Sequence, residues 1–273
     1  MLQYFKRYNV YVAIVAVIPP MVASTAWPLA TGQMMAASIG GLVALFALFA
    51  IGLFVGYGIF GKRADAETEK YLAFYNDDCD PAALVDAGAK LAEAIPTPCD
   101  QSGSWFMGYY AQALLDLGRR DEAMGILAGL KASMQAAKNA SAKVGILVNV
   151  LPLVEKAEGP KAALDLADEG VGLCDQAGDA GASQMRDYLE SQRKVLRVEL
   201  SDDPADIAKI AGGIAGSDRY PMRIRVEFAW REASAQYKLG DLAEEKRALE
   251  FVARNGGKLA LAQKAAERLA KLA

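Results

Sequence analysis

The sequence predicts an all-α protein. An N-terminal two-helix transmembrane hairpin is followed by an α-solenoid of about five helical hairpins and a C-terminal capping helix. Three observations predict it. Residues 36–60 form 25 consecutive positions without a charge, and Lys62 and Arg63 follow at once. Downstream there is no run of alternating β-branched residues, only alanine-rich segments with helical periodicity. Turn signals divide those segments at Asp80-Pro81, Gly118, Gly159-Pro160, Asp203-Pro204 and Gly240, at spacings of 38, 41, 44 and 37 residues. A repeat of about 40 residues is that of stacked helical hairpins, each burying its apolar face on the next.

The mean hydropathy of +0.12 blends two materials. Residues 1–63 hold no acidic residue and only Lys6, Arg7, Lys62 and Arg63 as bases. Residues 64–273 hold all 33 acidic residues and 26 of the 30 basic ones, a formal charge of −7. This acidity argues against nucleic acid as a partner, because phosphate binding needs a basic surface. The domains read as a hairpin over 1–63 and a cytoplasmic repeat domain over 64–273.

The first span is read at about 10–29, behind a tail bearing Tyr4, Tyr8 and Tyr11 at interfacial spacing. Pro19-Pro20 should kink it, since each proline removes a backbone hydrogen bond; such breaks are tolerated in membrane helices whose neighbours satisfy the freed groups. Ala30 to Met34 is read as a tight turn, and 36–60 as the second span, long enough for a bilayer core of roughly 30 Å. Both basic pairs flank the hairpin and its loop has none, so the positive-inside rule places both termini in the cytoplasm of a multi-pass membrane protein. The rival reading is a cleaved signal peptide with Ser24-Thr25-Ala26 at its cleavage site, although Pro19-Pro20 sits awkwardly in its apolar core. Either way the later domain is cytoplasmic. Gly52 and Gly56, four apart, let helix backbones approach closely. They read as a homodimer seam, a seat for a partner helix, or the surface on which the first span packs.

Beyond the spans, helices are predicted at 66–76 (continuing the second span), 81–95, 103–117, 120–137, 141–157, 160–177, 181–200, 204–215, 221–239, 242–254 and 258–272. The last is polar on one face, as the solvating cap of an array should be. Two turns carry specific wording. Tyr110-Ala111-Gln112-Ala113-Leu114-Leu115-Asp116-Leu117-Gly118-Arg119-Arg120-Asp121-Glu122-Ala123 resembles the middle of a tetratricopeptide repeat (TPR), and Ala235-Gln236-Tyr237-Lys238-Leu239-Gly240-Asp241-Leu242-Ala243-Glu244-Glu245 resembles it too. Glycine relieves the chain at a helix end, acidic residues suit the next N-terminus, and alanine admits a close neighbour. Glu158-Gly159-Pro160-Lys161-Ala162-Ala163-Leu164 is a looser copy. Glu245 stands where the family has its packing alanine, and the spacing exceeds the usual 34 residues. The resemblance covers roughly 66–273.

The resemblance implies a concave groove lined by the first helix of each pair. Register carried over from the turn glycines puts Trp105, Gln112 and Asp116 on it in one repeat, Asn149 and Lys156 in the next, and Glu227, Trp230, Tyr237 and Lys238 in the last. Such aromatic and amide side chains suit capture of a protein or peptide. The competing reading puts Trp105 and Trp230 in the core, because the longer repeat shifts the register.

Catalytic chemistry is not legible. There is no histidine, which removes imidazole as a base or ligand. Cys79, Cys99 and Cys174 are scattered, as for reduced thiols. The acidic cluster Asn76 to Asp80 has Pro81 and Ala87 where a calcium loop needs Gly and Glu, and reads as a helix-capping turn. Gly212 to Ser217 lacks a phosphate-loop lysine. Arg219, Arg223, Arg225 and Arg231 read as a solvated face balanced by Glu227 and Glu232, with an acidic peptide or lipid headgroups as the functional alternative. The chain therefore reads as a non-enzymatic, cofactor-free adaptor anchored in the bilayer, its alternative being a structural subunit of a larger membrane transport, secretion or envelope-assembly complex.

Overall fold

The computed structural model describes residues 1–31, 34, 39–201 and 203–272. Positions 32 and 33 of the turn expected at 30–34, and positions 36–38 of the second span, lie outside them. The chain forms two compact units, Met1–Lys70 and Tyr71–Ala273. Among the described residues every regular element is helical.

In the first unit a short 3-10 turn precedes α1 (Lys6–Thr31), and α2 (Ile39–Asn76) begins the return. Both helices are long and apolar enough to cross a membrane, and only 11% of each apolar window is buried, unlike the core helix of a soluble protein. The two run antiparallel: Tyr8 stacks on Phe60, Val12 lies over Gly56, and Val15 and Ala16 lie over Gly52. The face bearing Gly52 and Gly56 is thus occupied by α1, the third of the readings given above.

Helix α1 stays unbroken through Pro19 and Pro20. Prolines at these positions leave the carbonyls of Val15 and Ala16, four residues back, without helical donors. Those same oxygens face Gly52: a Cβ there would lie 2.7 Å from the Val15 oxygen and 3.2 Å from that of Ala16. The Gly52 Cα–H points at the freed carbonyls, a weak donor suited to a helix interface. At Gly56 the corresponding approach is looser, 3.2 Å to Val12 Cα. Gly52→Ala is therefore expected to destabilise the hairpin by about 1–3 kcal/mol, and Gly56→Ala by less. Unfolding of the detergent-solubilised protein by SDS measures both, and equal losses would count against this packing.

The second unit takes up the last turn of α2 and continues through α3 (Pro81–Ala94), α4 (Gln101–Asp116), α5 (Arg120–Ala136), α6 (Ala140–Glu158), α7 (Pro160–Ala177), α8 (Ala180–Ser201), α9 (Pro204–Ala215), α10 (Met222–Leu239), α11 (Leu242–Asn255) and α12 (Ala260–Leu272). The turn chemistry explains the boundaries. Asp80, Asp100, Asn139, Asp203 and Asp241 each cap the following helix by accepting a backbone N–H. Gly118 and Gly240 take φ of +75° and +76°, the left-handed region closed to most side chains. The acidic cluster is a capping turn, as expected: the Asp80 carboxylate accepts from Ala83 N at 3.1 Å.

Successive helices pack as neighbours, α3 on α4, α4 on α5, and so on to α11 on α12. The first helices of the pairs also touch each other, α4 on α6 and α6 on α8. Gly108 permits the first of these contacts, since a Cβ there would lie 2.7 Å from the Asn149 carbonyl oxygen. The core between first and second helices is built from fully buried Phe106, Leu114, Leu127, Leu147, Leu151 and Leu249. The pattern loosens once: α8 packs on α7 and α6, α9 packs chiefly on α10, and α8 meets α9 only briefly. The last loop returns to the first turn, where Lys258 N donates to the Cys79 carbonyl at 3.0 Å and Lys258 Nζ reaches Asp80 Oδ2 at 2.5 Å.

Candidate functional site

Where α8 and α10 stand apart, the array forms a cavity of about 710 Å³ that is open to solvent. Its walls come mainly from the first helices of the pairs: α4 gives Trp105, Tyr109, Gln112 and Asp116; α6 gives Asn149, Pro152, Glu155 and Lys156; α8 gives Gln184, Met185, Tyr188, Ser191, Gln192 and Val195; α10 gives Arg223, Ile224, Glu227, Phe228, Trp230 and Arg231. Tyr220 and Pro221 in the loop before α10, Ile214 of α9 and Leu261 of α12 complete it.

Seven of the nine groove residues named from sequence line this one cavity: Trp105, Gln112, Asp116, Asn149, Lys156, Glu227 and Trp230. Trp105 and Trp230 are half-buried wall residues rather than core. Gln112 is 3% exposed and its amide donates to the Gly108 carbonyl, so it forms wall more than contact surface. The Asn149 amide nitrogen is held by Ser104 Oγ and the Gln101 carbonyl, clamping α6 to α4. Tyr237 and Lys238 do not line the cavity. Helix α12 packs on α10 and closes that end: the Arg268 guanidinium stands 5.9 Å from the Trp230 ring centroid and 4.9 Å from that of Tyr237, which is 64% exposed beyond it.

The arginines expected as one solvated face are divided. Only Arg219 is fully on the surface, and Arg225 pairs with Asp218 at 2.7 Å. Arg223 is 2% exposed and belongs to an interior network. Its guanidinium lies 3.0 Å from Glu227 and 4.6 Å over the ring of Tyr75, and its Nε donates to Asn76 Oδ1. Lys156 Nζ joins Glu227 at 3.0 Å to Asp116 at 2.7 Å. The Tyr75 hydroxyl, on a side chain with no exposure, donates to Asp116 Oδ2 at 2.5 Å. Four elements thus meet in one chain of charges. Burial alone would raise the Glu227 carboxyl, but the Arg223 and Lys156 charges outweigh it and push it down to about 2. Burial raises the Tyr75 phenol, so its proton stays on. Burial opposes the Lys156 and Arg223 charges, and Glu227 more than restores them.

A second link bridges the gap between α8 and α10. Arg231 pairs with Glu155 of α6 at 2.5 Å and with Glu199 of α8, and lies 4.6 Å from the Phe228 ring centroid. Burial holds the Glu199 carboxyl above its ordinary value despite Arg231.

The cavity wall carries three carboxylates (Asp116, Glu155, Glu227) and three cations (Lys156, Arg223, Arg231), each engaged with another. What remains facing inward is aromatic and aliphatic surface with a few amides, suited to an uncharged, largely apolar group. Among the described residues no three His, Cys, Asp or Glu side chains are grouped to hold a metal ion.

The α8 wall and Tyr75 escaped the sequence reading. The groove register is carried from turn glycines, and the turn after α8, at Asp203-Pro204, has none. A helical face at Gln184, Tyr188, Ser191 and Val195 was the signal available. No family model matches the chain, and no curated protein or solved structure matches it. Fold and cavity together define the class: an all-helical repeat array behind two apolar helices that qualify as membrane spans.

Proposed function

We propose that this protein is a membrane-anchored adaptor. Its two apolar helices span the cytoplasmic membrane with both termini in the cytoplasm, and its TPR-like array captures a protein or peptide there. The observation that carries this reading is the cavity, whose aromatic wall is supplied by the first helices of the pairs while its charges are neutralised internally. A partner would enter with an apolar or aromatic segment, anchored by Trp105, Tyr188 and Trp230. Tryptophan anchors in desolvated pockets typically contribute more than about 2 kcal/mol each.

Affinity capture with the full-length protein in mild detergent tests it. The wild type, Trp105→Ala/Trp230→Ala and Tyr237→Ala are compared by mass spectrometry. A soluble partner is expected to be lost from the double variant, by about 30-fold or more, and kept by Tyr237→Ala. Recovery of the same membrane proteins with all three would overturn the adaptor in favour of a structural subunit of a larger membrane complex.

A further inference from the structure

We infer that the basic end of the hairpin binds the headgroup of an anionic phospholipid, resting on the membrane-spanning reading proposed above. The antiparallel register places Tyr8 on Phe60, with ring centroids 6.0 Å apart. Lys6 precedes Tyr8 by two residues and Lys62 follows Phe60 by two, so these lysines come to the same level, with Arg63 beside them. All three side chains are exposed, and among the described residues none of them makes an ion pair.

The neighbouring acids are otherwise engaged. Glu67 takes the Arg7 guanidinium and the Tyr8 hydroxyl, the latter at 2.8 Å. Asp65 lies 3.9 Å from the N-terminal ammonium. Glu69 stands seven residues past Lys62, roughly 10 Å further along the helix. Aromatic rings mark the level: Tyr11 and Tyr8 contact Phe60, and the Arg63 guanidinium lies 5.5 Å from the Phe60 ring centroid. Such rings settle at the headgroup layer of a bilayer. Three unneutralised cations at that layer meet phosphodiesters. An anionic lipid brings a net negative charge to them, whereas a zwitterionic lipid also brings its own ammonium. Lipid rather than soluble phosphate is the occupant, because the rings hold the cations at the acyl boundary.

The test is a lipid titration of the full-length protein in mild detergent, read by native mass spectrometry. Phosphatidylglycerol, phosphatidylcholine and glycerol phosphate are the probes. Phosphatidylglycerol is expected to be retained about tenfold or more over phosphatidylcholine, and the preference to fade at high salt. Neutralisation in Lys6→Gln/Lys62→Gln/Arg63→Gln should weaken retention about fivefold per charge, while the charge-keeping variant Lys6→Arg/Lys62→Arg/Arg63→Lys retains it. Equal retention of the two lipids, or equal binding of glycerol phosphate, would overturn the site. Flotation with phosphatidylcholine vesicles separates the two readings. Protein that floats yet shows no lipid preference overturns only the headgroup site, and protein that fails to float overturns the anchor and this site together.

Discussion

Replacing Glu227 by alanine is expected to lower the stability of the array by about 3–5 kcal/mol. Among the described residues its side chain is the only carboxylate paired with both Lys156 and Arg223. Its removal leaves Arg223, which is 2% exposed, without the carboxylate that pairs with it. Glu227→Gln should recover part of the loss, because an amide oxygen still accepts a hydrogen bond but carries no charge. Urea unfolding of the full-length protein, followed through Trp105 and Trp230, measures both variants. A loss below about 1 kcal/mol for Glu227→Ala would mean that the network adds nothing beyond a surface pair.

The same carboxylate sets a pH dependence whose sign is determined. Its pKa is pushed down to about 2 in the folded protein, from an ordinary value near 4.5. The charged form is therefore favoured by folding. The stabilisation is complete above about pH 4.5 and is lost as pH falls towards 2, amounting to about 3 kcal/mol. Glu199 and Glu232 act in the opposite sense, since burial raises both. The profile to examine is thus the wild type minus Glu227→Gln, which should fall through this window. A flat difference would contradict the ionised, doubly paired Glu227.

Arg231→Met carries the second large effect, about 2–3 kcal/mol, scaled down from a fully buried pair because the arginine side chain is 30% exposed. Arg231 reaches from α10 to Glu155 on α6 and to Glu199 on α8. Helix α8 otherwise packs on α6 and α7 and meets α9 only briefly, so this arginine is its main tie to the far wall of the cavity. The consequence is local as well as global. Amide hydrogen exchange in Gln184–Leu196 should rise in Arg231→Met while Val144–Val154 of α6 stays protected. Uniform change across both helices would contradict a bridging role. Both substitutions reshape the cavity without touching Trp105, which separates loss of wall geometry from loss of an anchor.

Much of this architecture follows from local chemistry. Turn glycines, capping aspartates and the prolines at 81, 160 and 204 act over a few residues, so helices 160–177 and 204–215 were readable at both ends. Hydrophobic run length likewise identified two apolar helices that qualify as spans. Even the cavity face was partly legible, because the positions facing inward on α4, α6 and α10 recur at helical spacing from a turn glycine.

Tertiary packing decided the rest. The sequence cannot show that α12 folds over α10, and that is why Tyr237 lies outside a cavity that Trp230 lines. It cannot show that Tyr75, Asp116, Lys156, Arg223 and Glu227 converge from four elements up to 152 positions apart. Read alone, Arg223 and Arg231 look like surface charges, since their local neighbours are glutamates one turn away. A charge is placed inside or outside by the balance between desolvation and the partners that folding supplies. Local sequence specifies the helices and their ends, whereas those partners exist only once distant helices have met.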